Sequence, residues 1–433
     1  MKNMKNIALK RFLPLIFVFC MLFASLGHLC LADDSIADGS GYQTEASKVE
    51  SFVTRMYEIT LNRKPDKDGL AYWCKQVTDR KITAGGLAFQ FIFGKEFQNR
   101  ISKEKMTSTQ YITCHYKLFM GRDPEKSGLE YWVNYMGQKW NTDAKKKALF
   151  VGFVNSKEFR KICQDYGMLQ GYYDPNHTPD QNTSVALFVD RMYQIILGRK
   201  SESDGLFFWT EQLLTGKIDG ASLGLQFAFS KEFKNLKVSN KEFVSRLYRA
   251  FMGREPDQAG MDYWLSLIEV GAPREAIFNG FIHSAEFTKI CKTYGITRGS
   301  LNLPTTEVYA RIVAINKLRE ENGAPKLKTT DLMQKWADTR VLEISTYFSH
   351  YRKDGSKYDK VGRNLGIKFG ASAENIAAGS GGCMDNLDQA LKAWMNSEGH
   401  RKNLLNPIYN RAALGRYVAP DGTVYWALVL AQC

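Results

Sequence analysis

Two histidines stand in the last third of the 433-residue chain, His350 in FSHYRKDG and His400 in NSEGHRKNLL. An imidazole can ligate a metal, carry a proton as a catalytic base, or sit in a core with its hydrogen bonds satisfied. His400 is flanked by Glu398 and Arg401, and Ser349 and Ser397 lie beside the two histidine motifs. No serine or cysteine here has an indicated base of its own, so covalent catalysis has no visible nucleophile. Two imidazoles and a carboxylate drawn from separate segments can hold a divalent cation with positions left for water. A carboxylate beside an imidazole can equally serve to fix its tautomer.

The elements that must position these residues follow from periodicity. EVYARIVAINKLREENG carries Val308, Ile312 and Ile315 at helical spacing and ends at Gly323. TTDLMQKWADTRVLEISTYFSH reads as a second helix, capped by Thr330 or Asp331. ENIAAG reads as a short buried strand, and NLDQALKAWMNS as an amphipathic helix through Leu387, Leu391 and Trp394. AALGRYVAPDGTVYWALVLAQ reads as a hairpin about Pro420-Asp421-Gly422. Helices first and a hairpin last give an α+β domain over residues 305–433, with helices packed on a small sheet.

INKLREENG, SHYRKDG, AENIAAG, AWMNSEGHRKNLL and LGRYVAPDGTVYWALVL, in that order, resemble the CAP superfamily of cysteine-rich secretory, antigen-five and pathogenesis-related proteins, its bacterial branch most. The resemblance implies an α-β-α sandwich with a central cleft lined by His350, Glu374 and His400. Its fourth position, an acid in many relatives, falls on Ser397 or Glu398. The implied metal set is His350, His400 and Glu374 around a divalent cation such as zinc. The implied function is a non-catalytic module that binds a lipid, peptide or envelope component. The alternatives are a metal-dependent, peptidase-like hydrolase with Glu374 as general base, and a structural adhesion protein.

The region before this domain repeats itself. LNRKPDKDGLAYW, MGRDPEKSGLEYW, LGRKSESDGLFFW and MGREPDQAGMDYW share an arginine, an acid, a glycine and a tryptophan at fixed spacing. The arginines and tryptophans are Arg63 and Trp73, Arg122 and Trp132, Arg199 and Trp209, Arg254 and Trp264. Pro65, Pro124 and Pro256 suit a first helical turn, and the arginine and acid a clamp between helices. Ser156, Ser230 and Ser284 read as N-caps. KPDKDG lacks the first and twelfth carboxylates of a calcium loop. Four helical units thus form an all-α region in two blocks, 48–168 and 185–297, joined by a linker at 169–184. They resemble a tandem helical domain of unknown function in secreted bacterial proteins, similar to phycobilisome-linker helical domains.

The first residues, with Lys2, Lys5, Lys10 and Arg11 before an apolar run, read as a signal peptide over 1–32. Its loss takes the formal charge from +14 to +10. This places the protein outside the cell or at its surface, without a transmembrane span in the mature chain, and argues against nucleic acid as a partner. The expected partner is an envelope or extracellular protein, lipid or peptide. An oxidising compartment permits disulfides, and Cys383 with Cys433 is the pairing expected in the last domain.

Overall fold

The computed structural model describes residues 44–433; the signal peptide expected over 1–32 lies outside them. The first repeat contains α1 (Glu45–Met56), α2 (Lys67–Thr78), α3 (Ala84–Ile92) and α4 (Lys95–Lys103). The second contains α5 (Ser108–His115), α6 (Lys126–Met136), α7 (Asp143–Val154) and α8 (Lys157–Asp165). The third contains α9 (Pro179–Met192), α10 (Ser203–Leu214), α11 (Gly220–Ala228) and α12 (Lys231–Asn235). The fourth contains α13 (Asn240–Leu247), α14 (Gln258–Glu269), α15 (Arg274–Ile282) and α16 (Ala285–Tyr294).

The repeated residues form one device, built four times. Each first helix ends in a π turn that opens on tyrosine: Tyr57–Leu61, Tyr116–Met120, Tyr193–Leu197 and Tyr248–Met252. A left-handed residue, Asn62, Gly121, Gly198 or Gly253, then reverses the chain. The motif arginine lies over that tyrosine, at 5.1, 5.2, 4.8 and 4.9 Å from the ring centre in the four copies. It also pairs with the glutamate of the last helix: Arg63 with Glu96, Arg122 with Glu158, Arg199 with Glu232 and Arg254 with Glu286. Exposed pairs of this kind contribute only about 0–1 kcal/mol each. The motif glycine is explained by the tyrosine hydroxyl. A Cβ at Gly128, Gly205 or Gly260 would stand 2.1–2.2 Å from it. Ser156, Ser230 and Ser284 cap their helices as expected.

The prolines do not stand in the first helical turn. The N-caps are Asp66, Glu125 and Asp257, so Pro65, Pro124 and Pro256 precede them. The aspartates are short enough to accept the Gly69 and Gly260 amides themselves, both at 2.7 Å, which makes the acid the cap. Ser201, where the third copy lacks proline, has a separate role. Its hydroxyl donates to Asp190 at 2.6 Å, and Arg80 of the first repeat pairs with the same nearly buried carboxylate. The departure from the repeat thus serves the contact between blocks.

After α17 (Glu307–Glu321), α18 (Asp331–Thr346) and α19 (Asp359–Asn364) come β1 (Ser372–Gly379), α20 (Leu387–Asn396), α21 (Glu398–Leu405), β2 (Arg411–Val418) and β3 (Val424–Ala431). The sheet is antiparallel in the order β1-β3-β2. Val341 and Ile344 of α18 pack with Ile376 and Ala427 on one face, while Leu391, Trp394 and Leu404 cover Ala373, Ala377 and Leu428 on the other. This is the expected α-β-α arrangement. Thr330 caps α18.

One apolar core runs without a break from Leu169 through repeats three and four to Leu430. The Thr329 amide donates to the Val270 carbonyl at 2.8 Å, Lys326 pairs with Glu269, and Asn279 donates to the carbonyls of Leu303 and Pro304. Gly271, at φ 115°, lets the two backbones meet; a Cβ there would lie 2.6 Å from the Thr329 oxygen. Among the described residues, no helix is long and apolar enough to cross a membrane. Gly271→Ala is expected to cost about 1–3 kcal/mol in urea unfolding, clearly more than Gly216→Ala, whose Cβ would meet nothing within 4 Å. Equal losses would show that the Thr329 contact imposes no constraint.

Candidate functional site

The site gathers at β1, an edge strand whose alternation sends neighbouring side chains to opposite faces. Glu374 faces α18, and Asn375 faces α21. Both are fully or almost fully buried. The loop that bears His350 closes onto β1 through Tyr358. The Tyr358 amide donates to the His350 carbonyl at 3.0 Å, and its hydroxyl donates to the Ser372 carbonyl at 2.9 Å.

Glu374 meets His350, Oε1 lying 2.9 Å from Nδ1. It also meets a residue that sequence reasoning missed. Arg340, buried on α18, donates from Nε to Glu374 Oε2 at 2.6 Å and from Nη2 to Oε1 at 3.2 Å. Its Nη1 donates to Glu343 Oε2 at 2.6 Å, and Nη2 also reaches the Ser349 carbonyl at 2.8 Å. Glu343 in turn accepts from Arg352 at 2.7 and 2.9 Å. Burial works against the charge of Arg340, but the hydrogen bonds and charge of Glu374, then those of Glu343, outweigh it and hold the guanidinium above its usual range. Burial likewise opposes ionisation of Glu343, yet Arg352 and Arg340 hold its carboxyl below the usual carboxylate range.

His400 sits in the first turn of α21. Asn375 fixes its backbone by donating to the His400 carbonyl at 2.9 Å, while Asn403 donates to the Asn375 side-chain oxygen at 3.0 Å. Burial, and after it the charge of His350, lowers the pKa of His400 from the ordinary imidazole value. Glu398 does not join them: it pairs with Lys402 at 2.7 Å, with 72% of its side chain exposed. Ser397 is the N-cap position of α21 and makes no side-chain cap bond. The Ser349 carbonyl accepts from Arg340, and the Ser349 hydroxyl accepts the Tyr351 amide at 3.1 Å. Beside the loop lies a cavity of about 220 Å³ lined by Glu343, Thr346, Tyr347, Tyr351, Arg352 and Lys353.

The three-residue metal set does not fit this arrangement. Both oxygens of Glu374 are engaged by a guanidinium, whose charge would stand against any cation bound to the same carboxylate. Among the described residues, no group of three or more His, Cys, Asp or Glu side chains is placed to hold a metal ion. The expected Cys383–Cys433 bridge is also corrected: both thiols are free and exposed. Cys383 follows the Gly379 end of β1, whereas Cys433 follows Ala431, which pairs with Ser372 at the other end. A strand of this length spans about 25 Å, and a disulfide tolerates a Cα separation of only about 7 Å.

Arg340→Met is expected to lower stability by about 3–5 kcal/mol in denaturant unfolding, because Glu374 would remain buried without its counter-charge; a loss below about 1 kcal/mol would mean that the pair is dispensable. Cys383 and Cys433 are both expected to react with a maleimide in native protein never exposed to reductant, as counted by mass spectrometry. Protection of the two as a linked pair would restore the bridge.

Comparison with known proteins agrees with this architecture. The family model described as a domain of unknown function (DUF4214) matches residues 39–84, 88–163, 176–237 and 224–291, together more than half of the chain. The cysteine-rich secretory protein family (CAP) matches residues 312–430. An uncharacterized protein, YkwD, from Bacillus subtilis (strain 168) is 34% identical over 103 residues, 23% of this chain and 38% of that protein. The chain thus spans well under half the length of this curated relative. Among solved structures, an extracellular protein containing an SCP domain from Bacillus anthracis str. Ames is 25% identical over 29% of this chain and 40% of its own, with a TM-score of 0.25. An outer surface protein from Borrelia burgdorferi is 19% identical over 28% of this chain and 86% of its own, also with a TM-score of 0.25. At such TM-scores these two likenesses carry no weight of their own. The family matches, read together with the repeats and the sandwich, place the chain in the DUF4214 family, with a CAP-family domain following its four helical units.

Proposed function

We propose that this is an extracellular, cell-surface ligand-binding protein whose CAP cleft takes up an envelope component without turning it over. The observation that carries the reading is the state of Glu374. A general base must reach water with a free lone pair; Arg340 and His350 take three of the acceptor sites of Glu374, and its side chain is fully withdrawn from solvent. A hydrolase built on this carboxylate would first have to break a buried ion pair. The surroundings suit binding. Tyr347, Phe348 and Tyr351, each about half exposed, flank His350 and offer aromatic faces beside a polar cleft. The formal charge of +10 that remains once the leader is lost, +14 less the four cations Lys2, Lys5, Lys10 and Arg11, favours an anionic surface as the setting. The helical repeats act in this reading as the support that presents the cleft.

Calorimetric titration of the full-length protein with phosphatidylglycerol vesicles and, separately, with soluble peptidoglycan fragments is expected to give saturable binding to one of them. His350→Ala and Tyr351→Ala are each expected to weaken that binding at least tenfold. Cleavage of a peptide library by the wild type, with or without added zinc, that is abolished in Glu374→Gln would overturn the reading in favour of a hydrolase.

A further inference from the structure

We propose that Arg340 is the positioning residue of the cleft: it locks Glu374 as a pure acceptor and so fixes the neutral His350 ring with its proton on Nδ1 and its Nε2 lone pair free for the ligand. The argument is one of donors and acceptors. A guanidinium has only donors, and Arg340 directs them at both oxygens of Glu374. A protonated Glu374 would have to aim its O–H at a guanidinium, which accepts nothing, or at the imidazole. The ionised form instead accepts from Arg340 and from His350 together, and this matches the observed contacts of 2.6, 3.2 and 2.9 Å. His350 Nδ1 must then be the donor. Nε2, across the ring, belongs to a side chain that is 47% exposed.

Arg340 also sets where the ring stands. Its Nη2 holds the carbonyl of Ser349, immediately before His350, and its partner Glu343 holds Arg352, two residues after. Residues 340 and 343, one turn apart on α18, thus grip both flanks of the histidine. The consequence is a stated polarity. The cleft presents an acceptor at Nε2 and matches a ligand group that donates, such as a hydroxyl or an amide N–H. The inference goes beyond the binding reading and does not depend on which ligand occupies the cleft.

The test is a long-range proton–nitrogen correlation spectrum of full-length protein labelled with ¹⁵N-histidine, at pH 8, where an ordinary imidazole is neutral. The His350 signals are assigned as those lost in His350→Ala. The wild type is expected to show a protonated Nδ1 and an unprotonated Nε2. Arg340→Lys keeps a cation beside Glu374 and should retain that pattern, as should Arg352→Gln, which does not touch Glu374. Arg340→Gln should shift His350 towards the Nε2–H form. Glu374→Gln leaves a single acceptor oxygen for the two Arg340 contacts and Nδ1, and should shift the ring the same way. A wild-type Nε2–H tautomer, or a folded Arg340→Gln or Glu374→Gln protein with the wild-type pattern, would overturn the proposal. If Arg340→Gln does not fold, Glu374→Gln decides alone. Loss of ligand binding with an intact Nδ1–H pattern would instead count against the binding reading.

Discussion

A carboxylate withdrawn from water beneath a histidine is unstable unless a cation and enough donors replace its hydration. The C-terminal domain meets that condition with one arginine. Arg340 satisfies Glu374 on two oxygens, reaches the backbone of the histidine loop, and ties in Glu343 and through it Arg352. The strand, the helix and the loop are therefore joined at a single buried charge. The geometry of the cleft depends on this contact more than on the apolar packing around it, because packing tolerates small shifts and a bidentate ion pair does not.

The repeats solve a different problem, that of ending one helix and starting the next in a fixed direction. The π turn, the left-handed residue after it and the arginine over the tyrosine recur together four times. A π turn leaves carbonyls without their usual amides, and arginines supply the missing donors. Arg246 donates to Ile196, and Arg191 to Ala250. The second repeat has Cys114 where the others have Arg55, Arg191 and Arg246, and there Arg100 of the first repeat serves Ile59 and Thr60 instead. The substitution and its replacement belong to the same block.

Much of this was legible in the sequence. The spacing of arginine, glycine and tryptophan announced the repeats, and the turn at Pro420-Asp421-Gly422 announced the hairpin that carries β2 and β3. The π turns were not legible, since a one-residue insertion in a helix leaves the apolar spacing almost unchanged. Arg340 escaped notice because an arginine on a helix normally reads as a solvated face. Its signal was nonetheless present: it shares an apolar stripe with Trp336, Ala337, Val341 and Ile344, and all of these are buried. A charge on such a stripe needs an opposite charge inside the fold, and Glu374 in the neighbouring strand was the candidate. The cysteine pairing misled for a simpler reason. Two cysteines in one domain say nothing about which ends of a sheet they occupy.

The seam at Gly271 and Thr329 gives the molecule a mechanical property. With repeats three and four sharing a core with the sandwich, nothing behaves as a tether between them. A flexible linker would let the cleft sweep a volume and sample targets in every direction. A welded joint gives it one bearing, set by whatever grips the helices, so the anchorage of the repeats dictates which neighbouring surface the histidines confront.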